Sequence, residues 1–431
     1  MVLLGRFYIL TGMNIFFSGI GGVGLGPLAQ LAHDAGHTVG GSDGAASLTT
    51  EALTSQGIPV HIGQDDGFFE ASHNKMPIDL FVYTAALPPT HPELVKAREL
   101  GVRTVKRDEL LAQIIQEKDL KLIAVSGTHG KTTTTGMLVW AFKQLGIPVS
   151  YSIGTTISFG PSGRYDPASE YFVYECDEFD RNFLHFSPEL SLVTSLGYDH
   201  SDTYPTKEDY RQAFSQFLRQ STHSIGWYHD LKQLPEAAAE ILWQLQDNEV
   251  APVKLAGEHY RMNATLVLKA LEYLGFEHDP SLLESFPGTN RRFERLADDL
   301  YSDYGHHPTE IAATLQMARE ISNRVVLVYQ PHQNIRQYEI KSLYRNCFKD
   351  AEKVYWLPTY LSREDPNLAV LTPQELTADI INKEAVQIAN MDDELWTMLE
   401  LHRANGDLVL AMGAGSVDGW VRERLRKLLD E

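Results

Sequence analysis

The sequence predicts an α/β protein of two or three domains, each built on a largely parallel sheet. Short apolar runs alternate with helix-compatible stretches along the whole chain, which is the pattern of parallel sheets joined by crossover helices. Two glycine loops each follow an apolar run and precede a helical stretch. The length of 431 residues suits two or three domains that each bury a core of their own.

The first predicted domain opens with a strand-like run at Asn14–Ser18, a glycine loop and a helical stretch at Leu25–Asp34. The loop fits the GxGxxG pattern, with glycines at Gly19, Gly21, Gly22 and Gly24. A second strand-like run, near 37–41, ends in Ser42 and Asp43, about 20 positions after the loop, where dinucleotide-binding folds hold a ribose. Alone this predicts NAD, but the same backbone accepts the diphosphate of a nucleotide sugar, and a purely structural turn is a further alternative.

Two more strand-like runs, at 80–84 and Arg103–Lys106, flank a helical stretch at Pro92–Glu99. They extend the parallel pattern to about residue 115, and the charged stretch 116–121 ends the domain. We therefore expect the first domain to span residues 13–118.

Residues 121–145 hold the second glycine loop, between an apolar run and a helix-compatible stretch. A triphosphate requires converging main-chain N–H groups, a helix N-terminus, a mobile cation and a hydroxyl that can hold Mg²⁺. The loop is tighter than GxxxxGK[ST], because Val125 occupies the place of the first glycine. The predicted nucleotide-binding residues are Gly127, Thr128, His129, Gly130, Lys131, Thr132 and Thr133. The alternative is a strand–turn–helix with an incidental lysine.

Acidic and histidine residues follow the next two strand-like runs. Glu175 ends the run 171–175, and His200 follows the run 190–196. Ligands collect at the carboxyl ends of parallel strands, so both side chains are predicted to lie near Lys131 and to hold Mg²⁺ or Mn²⁺. The alternatives are a solvated turn after Glu175 and a hydrogen-bonded scaffold histidine.

The last third of the chain predicts another α/β unit, with a helical run at 310–321 and strand-like runs at 324–329 and 407–412. Arg291 and Arg292 precede a loop rich in glycine and histidine. Adjacent arginines there suit a substrate anion or a reaction centre that develops negative charge. A surface pair of salt-bridged arginines is the alternative.

Net charge, apolar runs and cysteine placement exclude several classes of function. The net charge of −20 argues against a general nucleic-acid binder, and no run approaches the ~20 apolar residues of a membrane span. Cys176 and Cys347 lie far apart without metal-ligand spacing, which favours a reducing compartment. The leading residues lack a secretion signal and Met13 is as plausible a start as Met1, so we expect a cytoplasmic protein.

The motifs, taken in order, resemble those of the Mur ligase family over most of the chain. They are GIGGVGLG with GSD, SGTHGKTTTT, ECDEFD, DHSDTY, GEHYRMNA, TNRRFE, SDYGHHPTE, QPHQNIR and a terminal GAG. The resemblance implies an α/β, three-domain Mur ligase architecture. It comprises an N-terminal Rossmann-like domain for the UDP substrate (13–118), a shortened central P-loop ATPase domain (119–287) and a C-terminal Rossmann-like domain that closes over the site (288–431). It also favours UDP over NAD at the first loop.

GTHGKTTTT together with DYGHHPTE is typical of the family branch that acts on UDP-N-acetylmuramate. The resemblance therefore implies an ATP-dependent ligase of peptidoglycan synthesis, which uses Mg²⁺ or Mn²⁺ to join L-alanine to the substrate carboxylate through an acyl phosphate. A ligase that adds a recycled murein peptide and a non-catalytic nucleotide-sugar-binding protein are the alternatives. We expect small-molecule substrates only, no nucleic acid or membrane, and a monomer or homodimer.

The resemblance also implies residue roles. Lys131 would hold the β/γ-phosphates, and the metal ligands would be Thr132, Glu175 and His200. Asn263 would lie near the adenine, while Arg292 and Asp303 would bring the C-terminal domain onto ATP. The expected catalytic residues are Lys131, His200, Arg292, Asp303 and His306. The expected substrate-binding residues are Gly19, Gly21, Gly22, Gly24, Ser42, Asp43, His306, His332 and Arg336.

The sequence departs from the family pattern at four places, one of which is the altered motif around Tyr360–Glu364. Tyr260 replaces an asparagine of the adenine motif, and Gln333 replaces an arginine in the segment of His332 and Arg336. The stretch between His200 and Gly257 is shorter than the family's central domain normally requires.

Overall fold

The computed structural model describes residues 12–22, 24–84, 87–199, 203–234, 242–362, 364 and 367–430. Three sheets follow one another along these residues. The described residues up to Val250 pack together with Asn263–Phe286 as one compact unit, which holds the first two sheets. A second unit comprises Ala251–Met262 and the residues from Pro287 onward, and it holds the third sheet.

The first sheet has five parallel strands in the order β3-β2-β1-β4-β5. Its strands are β1 (Asn14–Ser18), β2 (Thr38–Asp43), β3 (Val60–Ile62), β4 (Leu80–Tyr83) and β5 (Arg103–Lys106). The crossover helices are α1 (Leu25–Asp34), α2 (Leu48–Ser55), α3 (Phe68–Lys75) and α4 (Pro92–Glu99), with α5 (Arg107–Glu117) after the last strand. Strands β1 and β4 are almost wholly buried, as expected of apolar runs covered by helices on both faces.

The second sheet has seven strands in the order β12-β11-β10-β6-β9-β7-β8, and all neighbours are parallel except β7 and β8. The strands are β6 (Lys121–Ser126), β7 (Val149–Ser152), β8 (Gly163–Arg164), β9 (Tyr171–Glu175), β10 (Leu190–Val193), β11 (His223–Trp227) and β12 (Leu242–Leu245). Helices α6 (Lys131–Gln144), α7 (Lys207–Gln220), α8 (Tyr228–Leu231) and α9 (Glu258–Tyr273) accompany them. The shortened stretch after position 200 thus still supplies two strands.

The third sheet has six strands in the order β13-β14-β18-β15-β16-β17, and only the β13–β14 pair is antiparallel. The strands are β13 (Glu294–Ala297), β14 (Leu300–Asp303), β15 (Val325–Tyr329), β16 (Lys353–Trp356), β17 (Val386–Ile388) and β18 (Leu408–Met412). The helices are α10 (Pro308–Ile321), α11 (Asn334–Ile340), α12 (Pro373–Thr377), α13 (Asp393–Ala404) and α14 (Val417–Asp430). A separate apolar core forms between this sheet and its helices, centred on the buried strands β15 and β18.

The α/β class and its three sheets confirm the fold that the sequence predicts. Some bounds differ for local reasons. Strand β2 continues through Ser42 and Asp43, which were expected to follow it, because Ser42 pairs with both Ser18 and His61. Helix α10 begins at Pro308, two residues earlier than expected, because His307 caps it and proline is favoured at the first helical position. No helix among the described residues is long and apolar enough to cross a membrane.

The first two domains share one continuous apolar core and meet closely at Gly163. This β8 residue packs against the main chain of Pro27 in α1, and a Cβ at position 163 would overlap the Pro27 carbonyl. The main chain of a packed helix cannot move aside for an added Cβ as the end of a flexible side chain can. The contact therefore requires glycine at 163 and fixes the first domain to the central sheet.

We expect Gly163→Ala to lower the free energy of unfolding by about 1–3 kcal/mol, because the added methyl overpacks a backbone contact. Thermal unfolding followed by circular dichroism measures the change. Gly44→Ala is the matched control, since only the Gln64 side chain lies within 4 Å of a Cβ there, at 3.7 Å. Equal melting temperatures for the two variants would contradict the close-contact argument.

Candidate functional site

Two glycines shape the loop between β6 and α6. Gly127 and Gly130 have φ of 131° and 90°, in the region that favours glycine. A Cβ on Gly127 would overlap the Thr194 hydroxyl, and one on Gly130 would lie 2.9 Å from Asn263 Oδ1. Asn263, which is 5% exposed, therefore lies directly against this loop.

The residues that follow β10 hold the loop in place. Ser195 accepts from the main-chain N–H groups of Thr128 (3.1 Å, at its carbonyl) and His129 (2.9 Å, at its hydroxyl). Thr194 Oγ1 donates to the His129 carbonyl at 2.5 Å. The Thr128 hydroxyl lies 2.7 Å from Tyr210 Oη and donates to the Gly197 carbonyl at 2.6 Å. Two of the predicted nucleotide-binding residues are thus engaged within the protein. The Thr128 hydroxyl is hydrogen-bonded to protein atoms, and Thr133 is buried, with 5% of its surface exposed.

Lys131, the first residue of α6, carries a buried ammonium group. Its Nζ donates to Glu178 Oε2 at 2.8 Å and to the Gly127 carbonyl at 2.6 Å. The Glu178 side chain has no exposed surface and that of Lys131 is 15% exposed. Burial alone would lower the pKa of Lys131, but the carboxylates of Glu178 and Asp177 outweigh it and raise that pKa above its usual value. The lysine is therefore charged and held at the helix N-terminus.

The next residue of α6 meets the end of β9. Thr132 Oγ1 donates to Glu175 Oε1 at 2.7 Å, and the Gly154 N–H donates to Glu175 Oε2 at 2.7 Å. The predicted hydroxyl and carboxylate thus lie together beside Lys131. His200 lies outside the described residues. Among those that are described, no three His, Cys, Asp or Glu side chains are grouped as a ready-made metal site.

The first glycine loop is tied to the end of β2. The N–H groups of Gly19 and Ile20 donate to the Ser42 carbonyl at 2.8 and 3.0 Å, and the Gly21 N–H donates to Asp43 Oδ2 at 2.7 Å. Gly22 N–H in turn donates to the Gly19 carbonyl at 3.0 Å. Asp43, predicted as a ribose ligand, therefore holds the loop itself.

Ser42, a predicted substrate-binding residue, has a fully buried side chain. Its hydroxyl donates to Glu93 Oε2 at 2.8 Å, and the Ser18 hydroxyl donates to the same oxygen at 2.5 Å. Burial raises the pKa of Glu93, although these donors and Gln64 oppose the rise. Ser42 thus belongs to a polar cluster beneath the loop.

In the second unit, Asp303 at the end of β14 organises the turn after it. Its Oδ1 accepts from the Gly305 N–H at 2.7 Å and its Oδ2 from the Phe293 N–H at 2.8 Å. Burial raises the pKa of Asp303 to about 6, against the opposing charge of Arg292. Arg292 Nη1 also lies 3.7 Å from Glu310 Oε1. The predicted pair Arg292 and Asp303 is therefore brought together.

The predicted residues His306, His332 and Arg336 also form one group. Arg336 Nη1 lies 2.5 Å from His306 Nε2, and the rings of His306 and His332 have centroids 5.4 Å apart. Tyr360 stacks on His332 with centroids 5.7 Å apart. Burial, helped by the neighbouring His306 and Arg336, lowers the pKa of His332 to about 4, so this ring is neutral at neutral pH. Gln333, at φ 59°, donates its N–H to the Tyr360 carbonyl at 2.9 Å.

Several residues that build these groups were not predicted. They are Glu93, Glu178, Thr194, Ser195 and Tyr210. Glu178 lies in an acidic run for which the sequence offered a solvated turn as an alternative. That alternative is wrong for Glu178, because its side chain is buried. The position of Thr194 and Ser195 directly after a central strand was the available signal.

The raised pKa of Asp303 predicts a pH dependence of stability. Between its unfolded pKa, about 3.9, and its folded value of about 6, the folded state binds more protons, so stability falls as pH rises through this window. The full effect is at most about 3 kcal/mol. In Asp303→Asn, the melting temperature measured from pH 4 to 7 should lose this component of its slope. Asp298→Asn, at a side chain that is 90% exposed, should keep the wild-type slope. Parallel slopes for all three proteins would refute the assignment.

Comparison with known proteins agrees with this order of sheets and loops. Residues 14–119 match the sequence model "Mur ligase family, catalytic domain", residues 125–241 match "Mur ligase middle domain", and residues 291–415 match "Mur ligase, glutamate ligase domain".

Curated relatives extend the match over nearly the full chain. The UDP-N-acetylmuramate–L-alanine ligase of a Nocardioides species is 34% identical over 97% of this chain and 96% of the relative. The protein of the same name from Gloeobacter violaceus is 32% identical over 97% of each chain. A crystal structure of UDP-N-acetylmuramate–alanine ligase MurC from Thermotoga maritima shares the fold with a TM-score of 0.76, at 23% identity over 97% of this chain and 99% of that one. The chain belongs to the Mur ligase family.

Proposed function

We propose that this protein is the ATP-dependent ligase that joins L-alanine to the carboxylate of UDP-N-acetylmuramate, a step of peptidoglycan precursor synthesis. The observation that carries the proposal is the phosphate loop, in which Lys131, Thr132 and Glu175 meet at the N-terminus of α6. The near full-length identity with relatives named for this reaction supports the choice of substrates.

ATP is assigned to the loop that begins at Gly127. Glycine main chain and a helix N-terminus suit the phosphates, and the charged Lys131 is the residue that would contact the β/γ-phosphates. Glu178 neutralises the ammonium in the structure, so a triphosphate would offer it a second anionic partner. Asn263 lies against Gly130 and is assigned to the nucleotide, as are His129 and Thr133.

The residues present fit a divalent ion, either Mg²⁺ or Mn²⁺. Mg²⁺ is usually held by one or two carboxylates together with phosphate oxygens and water, and Glu175 with the Thr132 hydroxyl supplies the protein share of such a set. His200 is proposed as a further ligand on the strength of its motif. When bound, the ion would neutralise charge on the phosphoryl group during transfer.

The reaction follows from the weakness of a carboxylate as an electrophile. The substrate carboxylate attacks the γ-phosphorus of ATP, the bond to the β–γ bridging oxygen breaks, and an acyl phosphate and ADP result, with the Lys131 ammonium offsetting the charge of the transferring group. The neutral amine of L-alanine then attacks the acyl carbon, phosphate leaves and the amide remains. Acyl phosphates hydrolyse, so the reaction requires a site that excludes water.

The second unit is assigned to the acceptor and to the nucleotide. Arg336, held by His306, would bind the carboxylate of L-alanine through its paired N–H groups. His332 is neutral at working pH and so adds no charge to this group. Arg292, set beside Asp303, is assigned to negative charge that develops on the phosphates.

The UDP portion is assigned to the first glycine loop, Gly19, Gly21, Gly22 and Gly24, which leads directly into the N-terminus of α1. Asp43 supports that loop through Gly21. Domain bounds at 13–118, 119–287 and 288–431 are part of the proposal. So are a cytoplasmic location and a monomeric or homodimeric state.

Phosphate release from ATP tests the function directly. With Mg²⁺ and UDP-N-acetylmuramate present, we expect L-alanine to stimulate release well above glycine, L-serine, a tripeptide or no acceptor. Lys131→Ala should abolish the stimulation, because it removes the cation that contacts the transferring phosphoryl group. Stimulation by the tripeptide alone would instead identify a murein peptide ligase, and no stimulation by any acceptor would identify a nucleotide-sugar-binding protein.

Arg336→Lys tests the acceptor site. Lysine keeps the charge but loses the planar fork, so we expect KM for L-alanine to rise about tenfold or more while KM for UDP-N-acetylmuramate stays unchanged. Arg345→Lys, at an exposed position in the same region, is the matched control and should behave as wild type. A rise in both KM values, or in neither, would contradict the assignment.

A further inference from the structure

A small cavity lies where the first glycine loop, α5 and the end of β9 meet. The residues that line it include Gly24 and Arg107 of the first domain and Gly154, Tyr174 and Glu175 of the central domain. It therefore adjoins both the loop assigned to UDP and the carboxylate assigned to the metal. Arg107 is the one cationic side chain among the described residues that line the cavity, and it has no role in the function described so far.

Arg107, the first residue of α5, has donors to spare in this cavity. Its side chain is 20% exposed, and its Nε donates to Asp108 Oδ1 at 3.1 Å. A guanidinium group has five N–H donors, and within the described part of the chain the other four have no hydrogen-bond acceptor assigned. Nearby Tyr174 and Asp108 help to raise the pKa of Arg107 against the effect of burial, so the group is charged. Among the described residues no Arg107 nitrogen is both buried and unpartnered, so these donors are open to solvent and to a ligand that enters the cavity.

The guanidinium lies against Gly24, the residue that precedes α1. A Cβ at position 24 would overlap Arg107 Nη1, so glycine is required for the guanidinium to approach this closely. The positive end of α1 and the arginine thus face the same space. Two positive groups placed together favour binding of an anion between them. Asp108 accepts a hydrogen bond from Arg107 Nε only, so it does not occupy the Nη donors.

We propose that Arg107 binds the diphosphate of UDP-N-acetylmuramate, with its Nη donors completing the anion site that the glycine loop and α1 begin. The inference rests on the proposed function and adds a specific residue to it. The planar fork of arginine matches two phosphate oxygens. Gly24 thereby has a role in the site, since its lack of a side chain admits the guanidinium group.

Isothermal titration of UDP, UDP-N-acetylglucosamine, UDP-N-acetylmuramate and ADP tests the proposal on the full chain. Arg107→Lys should weaken binding of all three uridine ligands about tenfold or more and by a similar factor, because each carries the diphosphate, and should leave ADP binding unchanged. Gly24→Ala, which displaces the guanidinium without removing it, should weaken the same three ligands. Arg103→Lys, an exposed arginine on β5, is the control and should bind as wild type.

Each other outcome overturns the proposal. Loss confined to UDP-N-acetylmuramate would move Arg107 to the sugar carboxylate, which the other two uridine ligands lack. Equal loss of ADP binding would indicate a general structural role, and unchanged binding in both variants would exclude contact with the diphosphate. Failure of the wild type to bind any uridine ligand would instead remove the proposed function itself, so the two failures are distinguishable.

Discussion

The ammonium group of Lys131 is buried, and the phosphate loop is arranged around the need to neutralise it. A buried ion without a partner is strongly unfavourable, and removing one member of such a pair typically costs about 3–5 kcal/mol. Glu178 meets this need from the turn after β9, and Tyr204 fixes that turn by donating to the Glu178 carbonyl at 2.5 Å. The loop carbonyl of Gly127 shares the same ammonium. Charge neutralisation thus links α6, the loop before it and the turn after β9 into one assembly.

Parallel sheets bring the remaining groups of the first unit into reach. Strands β6, β9 and β10 are neighbours whose carboxyl ends meet at one edge, so Lys131, Glu175 and Thr194 lie close together although they are far apart in sequence. The same rule operates at β1 and β2, where Ser18 and Ser42 converge on Glu93. In the third sheet, Asp303 is the last residue of β14, while Gln330 and Gly413 follow the neighbouring β15 and β18. Chemistry at each sheet edge is therefore a consequence of topology.

Local sequence was sufficient to predict most elements and both glycine loops. The apolar runs that form β1, β6 and β9 are bounded by clear turn residues, and the motif at Lys131 has few structural explanations. Contacts between residues far apart in sequence could not be predicted, because no local pattern distinguishes a buried carboxylate such as Glu178 from one in a solvated turn. Arg107 illustrates the same limit, since its approach to Gly24 depends on how α5 packs beside α1.

The remaining differences between the predicted and observed elements have local causes. Strand β2 extends because β1 pairs with it as far as Ser42 and β3 pairs with it as far as Asp43, which the sequence of β2 alone does not reveal. Short elements such as β3 lack the run of apolar residues on which prediction depends. At Tyr260 the departure from the family pattern has a local use, because its hydroxyl donates to the Arg292 carbonyl at 2.9 Å.

The contact between Gly163 and the main chain of Pro27 restricts how these domains can be recombined. Each surface is shaped to the other at the level of backbone atoms, so neither half can be exchanged without its counterpart. A chimera that took its first domain from another Mur ligase would need a helix that passes position 163 with the same clearance. Pairs of first and central domains should therefore be inherited, and engineered, as single modules.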